Sequence, residues 1–166
     1  MVSLGAVVGE PELTRTFYGQ FRPISEDWVP EALKVSGHTR EECMAFPEAD
    51  VTMQAFNAWV RENSTVSGPT VKRPYERRTA IFVSDNNGFD WQFVNYYFHR
   101  FIGNNPFGFS SRNLGDLYKG MVGDVFKNFK HLRRTKHTHH PVDDAIGNAE
   151  ALLHMKGEMG LKIGWK

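Results

Sequence analysis

The run Val2-Ser3-Leu4-Gly5-Ala6-Val7-Val8 is apolar on both faces. Side chains of a strand alternate between its two faces, so a strand of this kind needs cover above and below. It reads as an interior strand of a sheet with helices on either side. Gly9-Glu10-Pro11-Glu12 supplies turn chemistry, and Thr14 to Phe21 is a second run rich in β-formers, so the pair predicts a hairpin. An interior strand does not usually begin at residue 2.

The rest of the chain alternates helices with one further strand. Pro30 to Val35 predicts a short helix with proline at its start and Gly37 as its stop. Thr39 followed by Glu42 is a capping-box pattern and starts another helical turn. In Asp50 to Arg61, Met53, Phe56, Trp59 and Val60 form one apolar stripe. Asn63 to Arg78 reads as a polar loop holding Lys72, Arg73, Arg77 and Arg78, which is either a solvated, mobile insertion or a nucleic-acid contact. Ala80 to Ser84 predicts a buried strand, and Phe89 to Ile102 a helix so rich in aromatics that it should be covered on most sides. Core packing is the simple reading of those rings; a base-stacking platform is the other. Residues 103–112 read as a loop. Asn113 to Lys130 reads as helical in pieces, interrupted at Gly115, Gly120 and Gly123, and Pro141 to Met155 as the last strong helix. Strands intermixed with helices give an α/β fold, with one mixed sheet flanked by helices.

Composition narrows the function classes. The 166 residues carry a net charge of +1, so nothing draws the whole molecule to nucleic acid or a membrane surface, and any such binding must come from local patches. No apolar run approaches the ~20 residues of a membrane helix. Residues 1–8 lack the basic segment of a signal peptide. The single cysteine, Cys43, excludes an intramolecular disulfide and fits a reducing compartment. A cytoplasmic protein of one domain, without membrane partners, is the expectation.

The chemistry concentrates at two helix starts. Asp90 follows a strand and a turn, and Asp144 lies in the first turns of the last helix. Acidic residues at such positions stabilise the helix dipole, which explains each one alone. His139, five residues before Asp144, adds a second meaning. Metal-bound water has a lowered pKa, and a neutral imidazole nearby can take its proton. Carboxylate oxygens suit Mg²⁺ or Mn²⁺. A rival reading is a zinc site from His137, His139, His140 and Asp143, although the spacing matches no helix-borne zinc pair. Just upstream, Lys127, Lys130, Arg133, Arg134 and Lys136 form a basic strip, either a solvated face or a phosphodiester-binding surface.

These residues resemble the DEDDh 3′–5′ exonucleases, a family with an RNase H-like fold. Residues 4–8 look like its second strand, and Pro30-Glu31-Ala32 with residues 35–39 resembles the segment after its third. Residues 81–90 are similar to its second motif, ending in Asp90, with Asp85 where the family often has histidine. His139-His140-Pro141-Val142-Asp143-Asp144-Ala145 is similar to its third motif. The resemblance implies that Asp90 and Asp144 hold Mg²⁺ or Mn²⁺ in a two-metal site and that His139 is the general base. Asn86, Phe89, Lys130, Arg133 and Arg134 would contact nucleic acid, with Phe107 and Phe109 near the terminal bases. The family's first motif, an Asp-x-Glu on a central strand, has no counterpart here, which fits an interior-looking strand that starts at residue 2. The resemblance therefore implies an RNase H-like sheet without its first central strand, a single domain over residues 1–166 that is incomplete at its N-terminus. A shortened form of a longer enzyme is favoured over a degenerate relative. The implied function is hydrolysis of single-stranded DNA or RNA from 3′ ends, impaired in this chain. The alternative is a nucleic-acid or protein binding module without catalysis. A strand lent by a second copy, in a homodimer, is one way to complete the sheet.

Overall fold

The computed structural model describes residues 1–72, 74–75 and 77–163, and of Arg77 only the backbone. The hairpin forms where the turn chemistry places it. β1 (Ser3–Val7) pairs antiparallel with β2 (Thr16–Gln20), with Leu4 opposite Gly19 and Gly5 opposite Tyr18. α1 (Pro30–Ser36) starts on its proline and stops on Gly37, whose φ of 75° is the left-handed conformation glycine adopts freely. α2 (Arg40–Met44) carries the expected capping box. Thr39 Oγ1 accepts from the Glu42 backbone N–H at 3.1 Å, and the Glu42 carboxylate accepts from the Thr39 N–H at 2.7 Å. α3 (Ala49–Glu62) buries Met53, Phe56 and Val60.

The segment read as a polar loop contains a second small hairpin, β3 (Thr65–Ser67) with β4 (Arg77–Thr79). The fully exposed strand β3 has no apolar alternation, so it carries no strand signal of its own. Of the cations noted there, Arg78 donates to the Arg61 carbonyl at 2.9 Å, while Arg73 and the Arg77 side chain lie outside the described residues.

β5 (Phe82–Ser84) leads through a turn into α4 (Asn87–Phe101) and pairs in parallel with β6 (Ser111–Asn113), a strand whose sequence reads as loop. α5 (Leu114–Val122) runs uninterrupted past Gly115 and Gly120 and ends at Gly123, φ 67°. Asn113 caps it by accepting from the Asp116 N–H at 3.0 Å. A single 3-10 turn over Lys130–Leu132 precedes α6 (Pro141–Glu158).

The molecule is α/β, as the mixture of strands and helices implies. Its described strands, however, form three two-stranded sheets rather than one mixed sheet. Among the described residues β1 pairs only with β2, and only Leu4 of β1 is buried. The interior character of its sequence is met on the helical side, where β1 packs against α6. At Gly5 an added Cβ would stand 2.2 Å from the Pro141 carbonyl carbon, so only glycine lets the start of α6 come so close.

Two cores hold these parts. Leu4, Phe21, Met53, Phe56, Val60, Val94, Tyr97 and Phe98 join the hairpin to α3 and α4, with Phe82 and Phe107 packed against them. Leu114, Tyr118, Phe129, Ala151, Leu152 and Met155 join α5 to α6. The Tyr97 hydroxyl meets both the amine and the carbonyl of Met1, at 3.3 and 3.4 Å, and burial pushes its pKa up to about 12. α4 is covered on one side only. Phe89, Phe93 and Tyr96 are 59%, 36% and 50% exposed, which corrects the expectation of a helix covered on most sides. No helix is long and apolar enough to cross a membrane among the described residues.

Candidate active site

α6 begins in the histidine-rich segment, and its first turn decides which side chains meet. His140 is the N-cap and Pro141 the first helical residue, where a missing N–H costs nothing. His139 has φ 64°, a left-handed conformation that costs an L-residue roughly 1–2 kcal/mol. Thr138 ties the turn together. Its hydroxyl accepts from the His140 N–H at 3.1 Å and donates to Asp143 Oδ2 at 2.7 Å. The His140 ring stacks on Tyr18 of β2, centroids 4.9 Å apart. His140 and Asp143 are thereby engaged elsewhere.

The remaining donors converge. The rings of His137 and His139 lie 4.3 Å apart, and one ligand atom from each of His137, His139 and Asp144 falls within 4.8 Å of the others. His137 Nδ1 is 2.6 Å from Asp144 Oδ1. The approach lacks hydrogen-bond alignment, so the buried Oδ1 has no hydrogen-bond donor among the described residues. An orphaned buried oxygen beside two imidazoles is a donor set that a divalent cation fits.

Asp90 lies half-buried in the first turn of α4. Burial raises its pKa above the usual carboxylate value, a hydrogen bond from Ser84 works the other way, and the charge of Asp85 adds to the rise. A carboxyl group in that position favours a cation next to it. Asp90 is not one of the three residues that converge, but its helix start is tied to that of α6. Arg133 donates to Asp85 Oδ2 at 3.1 Å, in the turn before α4, and to Asn148 Oδ1, one turn beyond Asp144. Its guanidinium also lies over the Phe129 ring at 5.1 Å.

The other expected contact residues divide into two groups. Asn86, Lys127, Lys130, Arg134, Lys136 and Phe89 are exposed. Arg133 is closed to a phosphate, since its side chain is 6% exposed and engaged with Asp85 and Asn148. Phe109 is 97% exposed, whereas Phe107 packs into the core against Phe56, Phe82 and Phe98. Glu150, which no motif singled out, fastens the segment to α6 by accepting from the backbone N–H groups of Arg134 and Thr135 and from the Thr135 hydroxyl, at 2.7 to 2.9 Å.

Over 124 residues the chain is 37% identical to a curated protein of Escherichia coli named 3'-5' DNA exonuclease Cap18. The chain is similar in sequence to a protein named as an exonuclease. The alignment takes in 73% of this chain and 59% of the Cap18 protein, so the chain spans less than two thirds of its relative's length. No protein-family model matches the chain.

Proposed function

We propose that residues 1–166 act as one DEDDh-type exonuclease domain, with an RNase H-like arrangement, that removes nucleotides from 3′ ends of single-stranded DNA. The observation that carries this reading is the imidazole of His139 beside the orphaned Asp144 oxygen at the start of α6. The name of its relative favours DNA over RNA.

Asp90 and Asp144 would hold Mg²⁺ or Mn²⁺. When bound, such ions acidify water and stabilise the oxygen leaving the phosphorus. His139 accepts the proton of the attacking water. Asp144 is kept in place by the first helical hydrogen bond of α6, its N–H donating to the His140 carbonyl at 3.1 Å. Lys130 and Arg134 face the phosphate backbone, and Asn86 and Phe89 the terminal nucleotide. Phe89, Phe93 and Tyr96 are the exposed rings on which bases would stack.

The sequence contains no Asp-x-Glu, so these 166 residues on their own bind metal weakly and turn over little. The test follows Mn²⁺ binding and the fate of 5′-labelled single-stranded DNA. Weak Mn²⁺ binding that Asp144→Ala weakens about tenfold or more, with only trace shortening from the 3′ end, is the expected result. Products from internal or 5′ cleavage, or Mn²⁺ binding indifferent to Asp144→Ala, would overturn the reading. Brisk 3′ shortening that Asp144→Ala abolishes would refute the impairment alone.

A binding module without catalysis is the second reading, favoured by Asp90 standing outside the cluster of His137, His139 and Asp144. It requires salt-sensitive binding to single strands, no cleavage with either metal, and little effect of His139→Ala on affinity.

A further inference from the structure

We propose that His137, His139 and Asp144 form a mononuclear site for a borderline transition ion of the zinc class, and that its occupancy takes His139 out of service as a base. The second half of this proposal rests on the exonuclease reading; the first half does not.

Two imidazoles and one carboxylate are the donors that zinc-class ions prefer to Mg²⁺. Ligand atoms ~2.1 Å from a tetrahedral ion stand ~3.4 Å apart, and those of the three residues already lie within 4.8 Å of one another. Small side-chain rotations close the difference. Three protein ligands leave a fourth position open, and the exposure of both histidines gives an ion a path from solvent.

Two observations separate this arrangement from a merely histidine-rich loop. Among the described residues the buried Asp144 Oδ1 has no hydrogen-bond donor despite an imidazole nitrogen 2.6 Å away, an arrangement that a shared ion relieves as the two atoms separate to ~3.4 Å. The nearby donors His140 and Asp143 are drawn off to Tyr18 and Thr138, so the site has a defined set of three. A nitrogen of His139 committed to an ion has no lone pair left for the proton of water.

The test uses Co²⁺ as a spectroscopic stand-in for Zn²⁺, with the whole chain. The expected result is a visible absorption band of a low-coordinate Co²⁺ site at one ion per chain. Zn²⁺ displaces it and a large excess of Mg²⁺ does not. His137→Ala weakens Co²⁺ affinity about 100-fold, while His140→Ala leaves it unchanged and circular dichroism shows both variants folded. No band, or equal weakening in His137→Ala and His140→Ala, overturns the site. If Mn²⁺-supported shortening of DNA is detected, Zn²⁺ inhibits it in the wild type and less in His137→Ala; equal inhibition of the two overturns the regulatory half. A Co²⁺ band in a chain that cleaves DNA only internally or from the 5′ end leaves the site standing and removes the exonuclease reading instead.

Discussion

Arg133 and Asp85 form a 3.1 Å ion pair that joins the turn before α4 to the segment leading into α6. The same guanidinium reaches Asn148, so one side chain sets the relation between the two acidic helix starts. Breaking a buried pair leaves a charge without compensation. Arg133→Ala should destabilise the chain by about 3 kcal/mol, at the low end of the range because Asp85 is half-exposed. Urea unfolding measures this, and a change under about 1 kcal/mol would show that the bridge holds little together.

Glu150 predicts a pH dependence. Burial alone would raise its pKa, but hydrogen bonds from Thr135 and Arg134 outweigh it and hold the carboxyl below its usual value. A carboxylate with a lowered folded pKa adds stability that is complete above its unfolded value near 4.5 and is lost as pH falls through the folded value. Solvent around the carboxylate keeps the effect small. Glu150→Gln should therefore cost about 1 kcal/mol at pH 7 and almost nothing in strong acid. Parallel unfolding curves for the two proteins at both pH values check it.

Asp90 has the opposite sign. Its folded pKa is raised above 3.8, chiefly by burial, so its contribution falls as pH rises through the window between 3.8 and the folded value. Asp90→Asn should make the chain more stable at pH 7 while lowering its affinity for Mn²⁺. Thermal melts with and without the ion separate the two effects, and a variant less stable in metal-free buffer would reverse the sign.

Gly5→Ala should push the start of α6 off β1, because the new methyl group has no room beside Pro141. A destabilisation of about 1–3 kcal/mol is expected. Gly68→Ala, which meets nothing within 4 Å, serves as the control. Equal melting temperatures for the two variants would show that α6 yields there without strain.

Lys130 and Arg134 are exposed, whereas the Arg133 side chain is buried. Replacing both exposed cations by alanine should weaken single-strand binding and reduce the slope of log affinity against log salt by about 0.7 for each phosphate no longer neutralised. An unchanged slope would place the nucleic acid elsewhere.

Much of the fold was legible because the signals were local. Pro30 with Gly37, Thr39 with Glu42, and Pro141 with its apolar stripe each act within a turn or two of helix, and the helices formed there. β6 was not legible, since Ser111–Asn113 has no apolar alternation and is a strand only because β5 lies beside it. The site divided in the same way. The histidines and Asp144 could be found from spacing. That Asp144 meets His137, that His140 goes to Tyr18, and that Arg133 bridges two helix starts all depend on neighbours brought in by the fold.

The close approach of Gly5 to the start of α6 also sets an order of events. The two segments lie far apart in sequence, so joining them closes a long loop, and that entropy must be met before the approach stabilises anything. On a ribosome the hairpin and α3 can fold while the last helix is still unmade. The seat for the histidines and Asp144 then forms only after α6 itself has been made, so any ion those side chains bind is bound after the hairpin and α3 are already in place.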